Sequence, residues 1–399
     1  MLPRPNLSFT LPSIHDDTIL SCRIYHPAFL NDPTSLPSAS PWPGHAAVVA
    51  HPYAPLGGCF DDPVVDVVAS TLLQLGFVIA TFNFRGSAPS GGRTSWTSKP
   101  ERADYISVVG FLIHYVHYLD PPQSPSARMN KAEPLMLLAG YSYGAMITTK
   151  LPPLDTILSY FISPIVPSAA ADIRLRAQHL AEQQNTMFAT PASPRKSLGM
   201  RVGGDQGGSP PKSRDRSSAG LADREERIRK GVKELLERTK RIRKKHDHTP
   251  AEHVEDYLEK VTGLTMFSSA YLAVSPPVGM ITNLATMSFP SPFSSWSRRS
   301  DQKDAPSTKI ASSEASGPQM AADETLIKNP TLVVYGSQDG FITPRKMRDW
   351  AGRLGSVEGT RFRYIEVSGA GHFWLEEGAM YRLRDAVGTF AAGLLGRGD

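Results

Sequence analysis

Cysteine is nearly missing from this chain: its 399 residues include only Cys22 and Cys59. Two thiols exclude a disulfide framework and cannot furnish a zinc–thiolate cluster. Also missing is any run approaching eighteen uninterrupted apolar residues, so no membrane span is expected. The opening stretch "MLPRPNLSFTLPSIHDD" holds no apolar h-region, so no secretory leader and a cytoplasmic location are expected. Excess charge of one sign is confined to one place. Residues 223 to 246, "DREERIRKGVKELLERTKRIRKKH", hold eleven Lys or Arg against five Asp or Glu, a surplus of six. The whole chain carries only +5, so the remainder is close to neutral. The basic character belongs to one segment, and a nucleic-acid partner is not expected.

Proline and glycine, in contrast, are plentiful: 34 and 32 residues, enough for long irregular connections. Between them the apolar patterns alternate in type. "LSFTL" and "TILSCRIYHP" read as strands joined by a polar turn. "HAAVVAHP" and "FVIATFNF" are short buried strands separated by the helical "VVDVVASTLLQLG". A helix over "ERADYISVVGFLIHYVHYL", a strand over "EPLMLLAG" and a helix just beyond Ser142 continue the alternation. The C-terminal part repeats it with "NPTLVVYGSQDG", "PRKMRDWAGRLG", "RFRYIEVSGAGHF" and "EEGAMYRLRDAVGTFAAGLLG". Strands alternating with helices of this length predict an α/β fold, a mostly parallel sheet with helices on both faces.

That alternation is interrupted after the Ser142 helix. Two segments compete for the next strand, residues 156 to 167 and "SSAYLAVSPPVGM" from Ser268, and the second has the more compact apolar run. The expected organisation is residues 1–155 and 268–399 as two parts of one domain, with 156–267 as a helical, partly disordered insertion. Residues 189 to 220 are rich in Gly, Ser, Pro and charge and are expected to be disordered. Ile228, Val232, Leu235 and Ile242 put a narrow apolar stripe on a charged helix. Thr249, Pro250 and Glu252 read as the start of a second helix with Val254, Leu258 and Val261 on its buried face. A hairpin of the two would cover the cleft as a lid, and its charge leaves a protein partner open. A second polar stretch, residues 291–325, is expected to be a flexible loop.

The chemistry centres on "GYSYG", a G-x-S-x-G pattern preceded by a strand and followed by a helix. A strand that turns sharply into a helix holds its serine at an uncomfortable backbone angle, and small residues two positions either side avoid collisions. The serine then sits where unpaired N–H groups favour developing negative charge. It needs a general base. Asp339 and His372 each follow a C-terminal strand, and the order Ser, Asp, His fits a triad in which His372 moves the proton and Asp339 orients the ring. Each has a plainer reading: a turn or capping aspartate, and a surface histidine. Oxyanion donors are expected from the Tyr143 N–H and from the loop "HPYAPLGG", with Tyr53 favoured and Leu56 or Gly57 as alternatives. Phe60, Met146, Phe341 and Trp374 are candidates for the substrate pocket. His51 is read as structural, and Asp61, Asp62, Glu101 and Asp104 as helix-start acids. No cofactor and no metal are expected.

With "HPYAPLGG", "FNFRGSAPSGG", "GYSYGA", "SPPVG", "YGSQDGFIT" and "GAGHFW" in view, the chain resembles the α/β-hydrolase superfamily. Within it the likeness is to serine hydrolases and esterases found in bacteria and, with long insertions, in fungi. It covers residues 45–155, 268–290 and 329–395. The resemblance implies that Ser142, Asp339 and His372 stand at the triad positions. It also implies that the loop after the "HP" strand supplies the oxyanion hole, and that Arg85 and Gly86 are chiefly structural. The chain carries "HP" where most of the superfamily carries "HG". The implied reaction is cleavage of a small-molecule acyl ester or thioester through an acyl-enzyme. A peptidase or acyltransferase on the same triad, and a non-catalytic binding protein on the same fold, are the alternatives.

Overall fold

The computed structural model describes residues 1–31, 42–121, 133–189, 223–237, 256–277, 316–341 and 343–396. Eight strands form one sheet: β1 (Leu7–Pro12), β2 (Ile19–Tyr25), β3 (Ala46–Ala50), β4 (Val78–Phe82), β5 (Leu135–Tyr141), β6 (Ser268–Val274), β7 (Thr331–Gly336) and β8 (Phe362–Val367). Their spatial order is β1-β2-β4-β3-β5-β6-β7-β8. β2 runs antiparallel to β1 and β4, and β4 through β8 are parallel. This is the α/β-hydrolase fold. The chain steps from β3 outward to β4, then crosses back to place β5 on the other side of β3. The ends of β3 and β5 therefore flank a topological switch point, where α/β sheets open a crevice.

The central strands are apolar throughout because both faces are covered. Side chains alternate between two cores. Val48, Met136, Leu138 and Val333 point into one core, and Val49, Leu137, Leu272 and Val334 into the other. The first core is closed by α3 (Lys99–Tyr118), α4 (Tyr143–Thr148), α8 (Ser316–Lys328) and α9 (Pro344–Gly355). The second is closed by α2 (Pro63–Gln74) and α10 (Ala379–Leu394). Asp62 starts α2, its Oδ1 accepting from the Val64 and Val65 N–H groups that follow Pro63, which sets the first turn. Strand β6 is the segment from Ser268, while residues 154–159 form a short helix, α5 (Leu154–Ser159).

The insertion packs differently from the expected hairpin. Helix α6 (Ala169–Ala189) lies along α3 and reaches β1. A further helix, α7 (223–237), docks beside it: Ile228 is buried, and Glu225 accepts from Arg176 of α6 and from the Thr10 hydroxyl of β1. The apolar stripe is thus used against the body of the same chain. The expected second helix is not seen in its described part. Residues 256–260 are not helical: Tyr257 is bridged to Ile165, and Arg174 donates to the carbonyls of Phe161, Ile162 and Glu259. Thr249, Pro250, Glu252, Val254, Ile242 and residues 190–220 lie outside the described residues. The expected loop 291–325 is corrected at its end, because Ser316–Lys328 is helical and buries Leu326 in the first core. Residues 291–315 lie outside the description. No described helix is long and apolar enough to cross a membrane.

Three histidines are locked inside this fold. His26 Nε2 lies 2.7 Å from the Tyr115 hydroxyl, and His114 Nδ1 donates to the Gly110 carbonyl at 2.7 Å. His51 Nδ1 donates to the Pro52 carbonyl while its Nε2 accepts from the Phe84 N–H. Burial lowers all three pKa values from 6.5 to about 4. The unfolded chain therefore takes up protons that the folded chain refuses. Stability should be full above about pH 6.5 and be lost as pH falls toward about 4, by about 2 kcal/mol per histidine between pH 7 and pH 5. Denaturant titrations at those two pH values, with proton uptake approaching three on unfolding at pH 5, would bear this out; equal midpoints would contradict it.

Candidate active site

The turn between β5 and α4 carries Ser142. A Cβ on Gly140 would lie 2.4 Å from the Gly144 carbonyl carbon, and one on Gly144 would lie 2.6 Å from the Ala50 and His51 carbonyl oxygens. Only glycine fits either position, so strand, helix and the end of β3 can touch. Ser142 is left at φ 53 and ψ −116, a conformation that costs about 1–3 kcal/mol and persists only where its surroundings enforce it. Its N–H is held by the Val274 carbonyl of β6 at 2.8 Å.

The loops after β7 and β8 meet in the same way. A Cβ on Gly336 would lie 2.1 Å from the Ala370 carbonyl oxygen, so the two turns interlock. This brings Asp339 and His372 together from separate strands. Ser142 Oγ is 2.8 Å from His372 Nε2, and His372 Nδ1 is 2.8 Å from Asp339 Oδ2. A carboxylate accepts, so Nδ1 carries the proton and Nε2 is free to take one from the serine hydroxyl. Asp339 Oδ1 accepts from the Phe341 N–H, and the Tyr141 hydroxyl donates to the His372 carbonyl. All three side chains are buried. The arrangement is that of a Ser–His–Asp catalytic triad.

Above it opens a cavity of about 270 Å³, lined by Pro52, Tyr53, Leu56, Gly57, Gly58, Asp62, Tyr141, Ser142, Tyr143, Pro277, Phe341, His372 and Phe373. Tyr53 and Tyr143 line it, with ring centroids 5.2 Å apart. Phe341 lies against the His372 ring at 4.5 Å. Three expected wall residues are elsewhere. Phe60 is buried under the Arg23 guanidinium, Met146 faces the first core, and Trp374 sits in the second with its Nε1–H donated to the Ser275 hydroxyl. Each adjoins a functional loop in sequence, but its side chain anchors that loop from behind.

Six wall residues were missed as such: Pro52, Gly58, Asp62, Tyr141, Pro277 and Phe373. Phe373 carries the one usable signal, since it follows His372 directly. Asp62 reads from sequence only as a cap, which it also is. Burial raises its carboxyl pKa, against the opposing pull of the two cap N–H groups and of His372. The oxyanion alternatives narrow as well. The Leu56 and Gly57 N–H groups are spent inside a short turn, on Tyr53 and Ala54 carbonyls, while the Tyr53 N–H donates to no described residue. Tyr143 opens α4, where the first N–H groups have no intrahelical acceptor. Arg85 stays away from the cavity, held by buried Asp104 on one side and exposed Asp16 on the other. No described residue of the insertion lines the cavity, because that segment is anchored on α3 and β1. The lid expectation is not met by those residues.

No known family model matches the chain, and no curated protein does. Solved structures do. An alpha-beta serine hydrolase homologue from Coxiella burnetii shares 14% identity over 97% of this chain and 98% of its own, with a TM-score of 0.44. A serine hydrolase without lid from Xanthomonas campestris shares 14% over 99% and 97%, with a TM-score of 0.43. Est1E from Butyrivibrio proteoclasticus, bound to ferulic acid, shares 11% over 97% and 99%, also at 0.43. Likeness at this level decides neither reaction nor substrate.

The elbow itself makes a stability prediction. Gly144→Ala should destabilise the fold by about 1–3 kcal/mol or more, the range for overpacking against a rigid neighbour. Urea denaturation measures it, and an unchanged midpoint would show that the contact with β3 is not tight.

Proposed function

We propose that the protein is a serine hydrolase that cleaves a small carboxylic ester or thioester through an acyl-enzyme. The observation that carries this reading is the unbroken contact from Ser142 Oγ through His372 to Asp339, opening directly into an apolar cavity.

In the first half-reaction Ser142 attacks the acyl carbonyl while His372 Nε2 takes the hydroxyl proton. Asp339 holds the ring in the needed tautomer and stabilises its cationic form. The N–H groups of Tyr143 and Tyr53 receive the charge that develops on the carbonyl oxygen. His372 returns the proton to the departing alcohol or thiol, then activates a water that releases the acid and restores Ser142. The cavity volume supports a compact substrate. About 270 Å³ is enough for a short acyl group. A panel of acyl esters, thioesters and peptides, with added alcohol acceptors, separates hydrolysis from peptidase and acyl-transfer activity on the same triad.

A fluorophosphonate should add to wild type at Ser142, read as a mass increase on the peptide holding it. Ser142→Ala should abolish that adduct and lower kcat for ester hydrolysis by roughly a millionfold, as loss of a triad nucleophile does elsewhere. Undiminished labelling of that variant would remove Ser142 as nucleophile. Asp339→Asn should keep the fold and cost about 10⁴ in kcat, because the amide favours the wrong imidazole tautomer. A loss under tenfold would mean that Asp339 does not orient His372.

A further inference from the structure

Asp62 is an acid in a cavity that has no lysine or arginine among its described wall residues. Its neighbour Asp61 is neutralised, since both terminal nitrogens of Arg23 bond to it. Asp62 has no ion-pair partner among the described residues. Its Oδ1 takes both cap hydrogen bonds, from Val64 and Val65, and its Oδ2 takes none from them. Capping therefore uses one oxygen and leaves the second without a donor among the described residues. Apart from Ser142 and His372, the remaining described wall is aromatic or apolar, with Tyr53, Tyr143, Phe341 and Phe373 around the same space. Aromatic faces attract cations through their quadrupole, and a carboxylate beside them adds a charge of the complementary sign. The same field repels a second carboxylate, and among the described wall residues only His372 could oppose it.

We propose that Asp62 makes this cavity selective for esters and thioesters that carry an ammonium group, and against those that carry a carboxylate. The assignment rests on the hydrolase reading, whose substrate class it narrows. It differs from a purely structural role for Asp62 in one respect. Capping needs an oxygen acceptor, whereas selectivity needs the charge.

The experiment compares kcat/KM at one pH for three thioesters whose released thiol is measured directly. They are S-(2-trimethylammonioethyl) thioacetate, its uncharged isostere S-(3,3-dimethylbutyl) thioacetate, and S-(2-carboxyethyl) thioacetate. Wild type should prefer the cation over the isostere by about tenfold, the size expected for one partly exposed charge contact helped by aromatic faces. It should disfavour the carboxylate by a similar factor. Asp62→Asn and Asp62→Ser both keep a capping oxygen, so melting temperature reports whether the fold survives. In either folded variant the cation-to-isostere ratio should fall to about one to two and the carboxylate should gain relative to the isostere. A wild-type ratio near one, or a ratio unchanged in both variants, overturns the assignment and leaves the hydrolase reading standing. If wild type turns over none of the three and takes no fluorophosphonate, the hydrolase reading itself fails and this assignment falls with it.

Discussion

Between Gly144 and the carbonyl oxygens of Ala50 and His51 there is no room for a methyl group. That close approach ties the helix after β5 to the end of β3, the two strands on either side of the switch point. It holds Ser142 in a backbone conformation that an open turn would relax. The serine is exposed to the cavity because its backbone cannot turn away. The same contact fixes where α4 begins, and with it the direction of the unpaired N–H groups at that end. Geometry at the reacting centre is therefore a property of backbone packing more than of side-chain choice.

The other partners are placed by a second contact of the same kind, where Gly336 meets the turn after β8. Around these turns lies a set of polar ties that hold the loops in place. His51 bridges the start of one loop to Phe84, Tyr141 holds the His372 carbonyl, and Trp374 ties to Ser275. Each links the loop of one strand to the loop or end of another. The sheet is covered on both faces and resists shear, so these ties give the triad a rigid base on which a hydroxyl and an imidazole remain within bonding distance.

The triad was legible because each member announces itself locally: a glycine-flanked serine between strand and helix, then an acid and a histidine just past successive strands. The succession of strands and helices in the two main parts of the chain followed from apolar period in the same way. The cavity wall was legible only in part. Phe60, Met146 and Trp374 stand beside functional residues in the chain, yet their side chains turn inward, and rotamer direction depends on what the rest of the fold leaves empty. Asp62 was hidden by having an adequate local role already. The docking of α7 escaped for a related reason. Its apolar stripe shows that something is covered, and only the tertiary contacts of Glu225 and Ile228 show what.

The insertion departs after α4 and must return only as far as β6, the neighbour of β5. The entropy of closing such an excursion grows with the logarithm of its length, about 0.6 kcal/mol per doubling. Lengthening this connection therefore strains neither elbow nor interlocked turns, provided the added chain finds its own surface to rest on. Helices α6 and α7 have found one on α3 and β1. Over evolutionary time this joint can grow or shrink while the reacting groups keep their spacing, which makes it the place where relatives of this protein would differ most in size.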